Sequence, residues 1–170
     1  MKGQKRVEAA LAAAGLSIQV VQLAESARTA ELAAAALGAP LGSIVKSLVF
    51  LADGKPLLVL VAGDRRASPE KLKGLSGARR VMIADADRVR QETGFSVGSV
   101  PPVGHKQPLS TWVDDSLARF EAVYAAAGHH RAVFPGAFQT LVRITEGSVA
   151  DLAEPIRRNA ERSPRDRRGG

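Results

Sequence analysis

Cysteine is absent from this chain of 170 residues, which excludes disulfides and zinc sites built on thiolates. Long apolar runs are also missing, because the best candidates are interrupted by Lys46, by Asp53 and by Gly63-Asp64, whereas a membrane-spanning helix needs about 20 apolar residues. The basic N-terminus leads into an Ala-rich helical pattern with Glu8, unlike the apolar segment and cleavage site of a secretory signal. These features predict a cytoplasmic protein without a membrane partner.

The common signatures of cofactor and nucleophile chemistry are missing too. The sequence has no Walker A loop, no glycine fingerprint of a dinucleotide-binding fold and no G-x-S-x-G elbow. His129 and His130 are adjacent, so on a strand they diverge and are poorly placed to ligate one metal, and no H-E-x-x-H pattern supports a metal site. We therefore predict no cofactor and no metal, while a Ser–His–Asp triad remains an alternative.

Positive charge is concentrated at the C-terminal end. The formal net charge is +7, and residues 157–168 contain six Arg against Glu161 and Asp166, which gives this stretch +4 of the total. A basic folded face supports nucleic-acid binding better than a basic tail does, so the charge alone indicates RNA binding only weakly. Because residues 157–170 contain almost nothing apolar, we predict a domain over 1–156 and a disordered Arg-rich tail over 157–170.

Apolar periodicity and turn residues predict a single domain of mixed α/β (α+β) class. The clearest signal is a hairpin of two apolar runs, 44–52 and 56–62, around Asp53-Gly54. Because both runs are apolar on both faces, we expect the hairpin to lie centrally in its sheet. Capping residues and shorter runs predict helices over 3–14, 29–37 and 137–144, a helix from 69 that ends near Gly74 or Gly77, one capped by Asp85 or Asp87 that runs to 94, and a short one capped by Asp114 or Asp115 that runs to 120. They predict strands over 17–23, 80–84, 96–100, 111–113, 123–126, 131–134 and 148–152.

Lys46 is the most unusual residue of the predicted core. It lies inside the apolar run 44–50, and strand alternation places it on one face with Ile44, Leu48 and Phe50. An ammonium group on an apolar face costs free energy unless it is paired or opens into a cleft. Two interpretations follow: an edge-strand lysine that discourages pairing with other chains, or a cleft lysine that binds a phosphate, a carboxylate or a polarised carbonyl.

A second candidate is the segment 98–105, which reads Gly-Ser-Val-Pro-Pro-Val-Gly-His. Glycine lets another molecule approach the backbone and proline stiffens the loop, so exposed amides of Gly98, Ser99 and Val100 could donate hydrogen bonds to a carbonyl or an oxyanion. A plain strand exit with a tight turn explains the same residues equally well. At the exit of the hairpin, residues 63–66 are predicted to form a solvated turn.

Taken together, these segments resemble the YbaK/prolyl-tRNA synthetase-associated editing-domain family. The resemblance covers roughly residues 15–153 in one order, and its most specific part is the strand lysine with the downstream Gly-x-x-x-Pro loop. It implies a mixed, partly barrel-like β-sheet surrounded by helices. The matching stretches are 30–38, 44–50, 58–66, 93–95, 98–105, 114–117, 126–128 and 132–134.

The activity that the resemblance implies is hydrolysis of the ester bond between a non-cognate amino acid and the terminal adenosine of tRNA. The family lysine matches Lys46, which would hold the terminal nucleotide near its phosphate. The family loop matches 98–102, whose amides at Gly98, Ser99 and Val100 would stabilise the oxyanion while water, helped by the ribose hydroxyl, attacks. The substrate-binding residues implied in the same way are Ser47, Asp64, Pro101, Pro102, Gly104, His105, Gly128 and His129.

The sequence departs from the family pattern at two places. Ser47 stands where relatives often carry Thr or Asn, and the segment 135–141 lacks the acidic residue that many relatives have before the helix leucine. The implied partner is the aminoacylated 3′ end of tRNA, and an aminoacyl-tRNA synthetase is a second candidate partner. Two other functions stay open: a non-catalytic tRNA-binding or regulatory module with the same fold, and a hydrolase of small amino-acid esters.

Overall fold

A computed structural model describes residues 2–156, and the predicted tail 157–170 lies outside them. The five α-helices of this described part are α1 Lys2–Ala13, α2 Ala30–Leu37, α3 Pro69–Ser76, α4 Ala86–Thr93 and α5 Phe138–Thr145. The ten strands within residues 2–156 are β1 Val21–Gln22, β2 Val45–Ala52, β3 Lys55–Ala62, β4 Arg65–Ala67, β5 Val81–Ile83, β6 Ser110–Asp114, β7 Val123–His129, β8 Ala132–Gly136, β9 Ser148–Ala150 and β10 Ala153–Pro155. Within the described part of the chain, every helix is too short or too polar to cross a membrane.

The predicted hairpin lies at the centre of a five-stranded sheet with the order β5-β2-β3-β6-β9. β2 and β3 pair antiparallel along their whole length, from Val45 opposite Ala62 to Ala52 opposite Lys55, whereas β6 runs parallel to β3 and β9 parallel to β6. The sheets β1-β8-β7 and β10-β4 complete the fold. The mixed α/β single domain is confirmed. Over residues 2–156 the sheets do not close into one barrel, so the partly barrel-like description stays unconfirmed.

The connection of the hairpin explains its register. Asp53 and Gly54 both have positive φ angles, of 49° and 80°, as a two-residue turn between twisted strands requires. The Asp53 carboxylate also accepts hydrogen bonds from the backbone amides of Arg79 and Arg80, at 3.1 and 2.9 Å. The turn residue therefore fixes the hairpin and also ties its tip to the start of β5.

The two faces of the five-stranded sheet cover two separate apolar clusters. Along β3, Leu58 and Leu60 belong to the first cluster and Val59 and Val61 to the second, and all four are completely buried. α1, α4, α5 and the β1-β8-β7 sheet cover the first cluster, and α3 covers the second through Leu72. This double burial accounts for the absence of polar/apolar alternation in the hairpin sequence.

Helix ends follow the predicted caps closely. The side chains of Thr29, Ser68 and Asp85 accept hydrogen bonds from amides in the first turns of α2, α3 and α4, at 3.2, 3.2 and 2.8 Å. Each of these three helices ends at a glycine in the left-handed conformation, where only glycine avoids a steric penalty. The capping residues therefore predict these helices to within one or two residues.

The predicted strand over 96–100 is wrong, because these residues form a turn. The amide and the hydroxyl of Ser99 both donate to the Ser96 carbonyl, at 3.0 Å each, and this local bonding replaces a strand partner. The solvated turn predicted at Arg65 and Arg66 is also wrong. These residues belong to β4, which pairs with the distant β10, and Arg66 forms an ion pair of 2.7 Å with Glu154.

Candidate active site

A cavity of about 340 Å³ opens between the first half of β2, the start of α2, the turn at 97–100 and the β1-β8-β7 sheet. Its wall is mainly apolar, with a few polar groups that converge on it, which is the usual composition of a small-molecule site. Five of the residues predicted from the sequence line this cavity: Lys46, Ser47, Gly98, Val100 and His129.

The edge of β2 forms one wall of the cavity. β5 pairs with β2 only at residues 50–52, and beyond them the Ala84 amide donates to the Val49 carbonyl at 2.9 Å. On the opposite edge of β2, which faces β3, the Gly63 amide donates to the Ile44 carbonyl at 2.8 Å. Because backbone groups alternate between the two edges of a strand, the amide and carbonyl of Ser47 point away from β3, and no strand within residues 2–156 pairs with Ser47 on that side.

The hydroxyl of Ser47 is buried and has no hydrogen-bond partner among residues 2–156. A buried polar group without a partner costs about 1–3 kcal/mol, so such groups commonly mark a place where water or a ligand binds. Alternation places Ser47 on the face of Val45 and Val49, and Ser47 lines the cavity. Because its oxygen has almost no exposed surface, a bound molecule can reach this hydroxyl only if neighbouring atoms shift.

Lys46 lines the same cavity, and its ammonium group donates a hydrogen bond to the carbonyl of Arg65. Burial lowers the pKa of Lys46 below its ordinary value, while the carboxylates of Glu31 and Asp64 act in the opposite direction. An ammonium group has three donors, and the bond to Arg65 uses one of them. The other two donors can bind an anionic or carbonyl oxygen.

The turn at 97–100 contributes to the same cavity wall as Lys46 and Ser47. Gly98 and Val100 line the cavity, and neither of their amides donates to a protein acceptor within residues 2–156. The Ser99 amide differs, because it already donates to the carbonyl of Ser96. Of the three amides predicted to donate to a carbonyl or an oxyanion, two therefore have no hydrogen-bond partner within residues 2–156.

The remaining residues of the Pro-containing segment lie behind the turn, outside the cavity wall. Pro101 and Pro102 are buried, and the Nε2 of His105 donates to the Pro101 carbonyl at 2.6 Å. Burial lowers the pKa of His105, so its neutral form is favoured, and its ring meets the ring of Phe95 edge-on at 6.4 Å. These residues therefore support the turn from outside the cavity.

Gly104, Gly128 and Asp64 also lie outside the lining of the cavity. A Cβ atom at Gly128 would be 2.6 Å from the carbonyl oxygen of Gly3, and one at Gly104 would be 3.2 Å from that of Arg6, so both glycines pack against α1. Asp64 accepts two hydrogen bonds from the Arg119 guanidinium, at 2.8 and 3.0 Å. Contact of these residues with substrate, predicted from the resemblance, stays a prediction.

Sequence reasoning missed several residues that complete the cavity. Arg28 and Glu31 flank the start of α2, Tyr124 comes from β7, and His130 follows β7. Each of them is an ordinary surface or strand residue in the sequence, and no motif marks them. Only the packing of α2 and β7 against the β2 edge brings them to the site.

Three carboxylates form a separate cluster at the end of β6. One oxygen each of Asp114, Asp115 and Asp151 lies within 4.8 Å of the others. Asp114 is buried, and its two oxygens accept hydrogen bonds from the amides of Ser116, Leu152 and Ala153 and from the Ser116 hydroxyl. Through these bonds Asp114 caps the turn at 115–119. Asp114 also fixes the segment before β10.

Comparison with known proteins identifies the family of the chain. The model of the aminoacyl-tRNA editing domain matches residues 24–144, which include Lys46 and the segment 98–105. The proline–tRNA ligase of Nitratidesulfovibrio vulgaris (strain Hildenborough) is 45% identical over 91 residues, which make up 54% of this chain and 16% of the ligase. The uncharacterized protein YwhH of Bacillus subtilis (strain 168) is 33% identical over 110 residues, or 64% of this chain and 69% of YwhH.

The similarity extends to a solved structure, that of a candidate trans-editing enzyme for prolyl-tRNA synthetase. It superposes on this chain with a TM-score of 0.85 and 41% sequence identity, and the match covers 91% of this chain and 98% of the other. The shared fold therefore spans nearly the whole domain and is not limited to the cavity. On the family match and this structural similarity together, the chain belongs to the aminoacyl-tRNA editing domain family.

Proposed function

We propose that this protein is a trans-acting deacylase that hydrolyses the ester bond of mischarged tRNA. The observation that supports it most is that Lys46, Ser47, Gly98 and Val100 line one cavity. The volume of about 340 Å³ lies within the range of small-molecule sites, roughly 300–1,000 Å³. A nucleoside that carries a small amino acid fits such a space.

The proposed reaction uses groups of this chain for position and charge. The amides of Gly98 and Val100 donate to the ester carbonyl, and their bonds strengthen as water adds to the carbonyl carbon and negative charge develops on its oxygen. The ester C–O bond then breaks, the ribose oxygen receives a proton that originates from the attacking water, and the free amino acid leaves. One such donor contributes about 10²–10³ in rate, so the two amides supply a substantial part of the acceleration.

In this proposal Lys46 and Ser47 bind the two parts of the substrate on either side of the ester. The Lys46 ammonium holds the phosphate of the terminal nucleotide. The Ser47 carbonyl, on the open edge of β2, accepts a hydrogen bond from the amino group of the aminoacyl moiety. Holding both ends fixes the ester against the turn at 97–100, and such positioning lowers the barrier by making the reaction effectively unimolecular.

The test is a panel of tRNAs charged with Ala, Cys, Ser or Thr, with tRNA for proline examined first because the matched ligases are proline–tRNA ligases. We expect release of at least one amino acid, and Lys46→Ala should reduce kcat/KM about 10- to 100-fold, the effect of removing one charged hydrogen bond. Lys73→Ala, on the exposed face of α3, is the matched control. Full activity of Lys46→Ala would remove the proposed role of the lysine.

Two outcomes would favour the other functions. Binding of charged tRNA without release of any amino acid would indicate a binding or regulatory module. Equal rates on charged tRNA and on simple amino-acid esters would indicate a small-ester hydrolase. Addition of prolyl-tRNA synthetase to the same reactions tests whether a synthetase partner delivers the substrate.

A further inference from the structure

A group of arginine and histidine residues lies at one side of the cavity mouth. Arg28, His129 and His130 line the cavity, and Arg131 follows directly in the chain. We call these four residues the basic rim. None of the sequence motifs assigns a role to Arg28, His130 or Arg131, and the reaction proposed above does not use them.

Backbone contacts hold the basic rim against the turn at 97–100. A Cβ atom at Gly98 would lie 3.0 Å from the carbonyl oxygen of Arg28 and 3.3 Å from its Cβ, so Arg28 is in direct contact with the turn. The Ala27 amide donates to the His130 carbonyl at 2.7 Å, which fixes Arg28 next to the histidine pair. The rim is therefore built into the fold next to the amides that are proposed to hold the ester.

The positive charge of the rim comes from its two arginines, Arg28 and Arg131. The rings of His129 and His130 lie with their centroids 4.2 Å apart, so the divergence predicted for the adjacent histidines is wrong. Partial loss of hydration and the charges of Arg28 and Arg131 lower the pKa of His130, which favours its neutral form. Within residues 2–156 no ion pair engages Arg28 or Arg131. Glu31, the one carboxylate in the cavity lining of this part of the chain, interacts with the Lys46 ammonium.

Two arginines without an ion pair in residues 2–156, next to the imidazole N–H of His130, favour an anion at the mouth of the cavity. A strand whose terminal nucleoside occupies the cavity must leave through that mouth, and its preceding phosphates then pass over the rim. Arginine suits a phosphate because its guanidinium donates two parallel hydrogen bonds. The same mouth exposes the apolar side chains of Ile83 and Val97, against which an unpaired base can pack.

We propose that the basic rim binds the phosphodiester backbone of the nucleotides that precede the terminal adenosine, with Arg28 and His130 as the main contacts. This inference rests on the proposed function, because it assumes that the terminal aminoacyl nucleoside occupies the cavity. It makes the rim a determinant of preference for tRNA over small esters, distinct from the groups that act on the ester.

The experiment compares two substrates of the full chain: charged tRNA, and an aminoacyl-adenosine that has the same ester and lacks the preceding phosphates. For Arg28→Gln with His130→Gln, we expect the ratio of kcat/KM on tRNA to kcat/KM on aminoacyl-adenosine to fall at least about tenfold, mainly through KM. The slope of log binding against log salt should become less steep by about 0.7 for each phosphate that the double variant no longer neutralises. Arg143→Ala, an exposed arginine of α5 outside the cavity, should leave the ratio unchanged.

The outcomes separate this inference from the proposed function. An equal loss on both substrates, or no loss on tRNA, overturns the role of the rim while hydrolysis itself stands. If the wild-type protein hydrolyses neither substrate, the proposed function fails. Binding of a fluorescent RNA oligonucleotide ending in CCA then tests the rim alone: weaker binding and a reduced salt slope in the double variant support it, and unchanged binding overturns it.

Discussion

Lys46 and Asp64 show how the fold accommodates single charged residues at the border of its core. Lys46 lies in a strand, so its ammonium loses much of its hydration, and its pKa falls. Asp64 lies at the exit of the same hairpin, and the hydrogen bonds from Arg119 lower its pKa because they stabilise the charged carboxylate. The two shifts have opposite origins: burial opposes the charge of Lys46, and a partner supports that of Asp64.

The pair of Asp64 and Arg119 leads to a prediction about stability. Asp64→Asn should lower the free energy of unfolding by at most about 1 kcal/mol, because solvent screens exposed pairs and the two side chains are 36% and 37% exposed. The folded-state pKa of Asp64 lies below its ordinary value of 3.8. The stabilisation is therefore present above pH 3.8 and disappears as the pH falls through the folded-state pKa.

Urea unfolding at several pH values measures this difference, and a double-mutant cycle with Arg119→Gln isolates the contribution of the pair. High salt should reduce the coupling between the two residues. A coupling that stays the same in acid and in high salt would contradict the assignment of the pair as an electrostatic interaction.

At the scale of elements, close backbone approach decides how α1 packs on β7. Gly128 has a φ of 85° and lies where the register of β7 with β8 shifts. Its backbone contacts the backbone of Gly3, so the helix and the bulged strand meet without side chains between them. A pair of glycines far apart in sequence therefore sets the position of the N-terminal helix.

Gly128→Ala should destabilise the protein more than Gly54→Ala does. Both glycines have positive φ angles, of 85° and 80°, so each substitution costs about 1–2 kcal/mol of backbone strain. A Cβ at Gly54 meets nothing within 4 Å, whereas one at Gly128 lies 2.6 Å from the Gly3 oxygen and must displace α1. Chemical denaturation of both variants measures the difference, and equal losses of stability would show that the contact with α1 adds nothing.

At the scale of the whole molecule, the five-stranded sheet belongs to two apolar clusters at once. Leu58 and Val59 are neighbours on β3, yet they pack into opposite clusters and both are completely buried. Trp112, the one tryptophan of the chain, packs against the second cluster. Because the clusters share their central strands, we expect them to unfold together.

Leu58→Ala provides the test of this cooperativity. It should lower the free energy of unfolding by about 2–5 kcal/mol, the usual cost of a cavity left by a buried leucine. Although Leu58 belongs to the first cluster, Trp112 fluorescence and far-UV circular dichroism should report the same shifted midpoint. Leu32→Ala, which removes an exposed side chain of α2, is the control with little expected change. Separate transitions by the two probes would contradict a single cooperative unit.

Local sequence signals predict the elements that depend on near neighbours. The hairpin around Asp53-Gly54 and the caps at Thr29, Ser68 and Asp85 follow from interactions within a few residues, which a sequence displays directly. The predictions that failed depend on distant partners or on their absence. β4 at Arg65–Ala67 exists because β10 pairs with it, and residues 96–100 form a turn, stabilised by Ser96 and Ser99, instead of a strand.

The sequence by itself determined the class of fold, the central hairpin, the anomalous lysine and the resemblance to an editing-domain family, because each depends on residue order and local chemistry. Tertiary structure alone decided which of the candidate residues share a cavity. It brought Lys46 and Ser47 together with Gly98 and Val100, and it placed His105 and Gly128 in packing positions. The physical reason is that a cavity is bounded by elements far apart in the chain, and their relative positions follow from how the two clusters pack on the shared sheet.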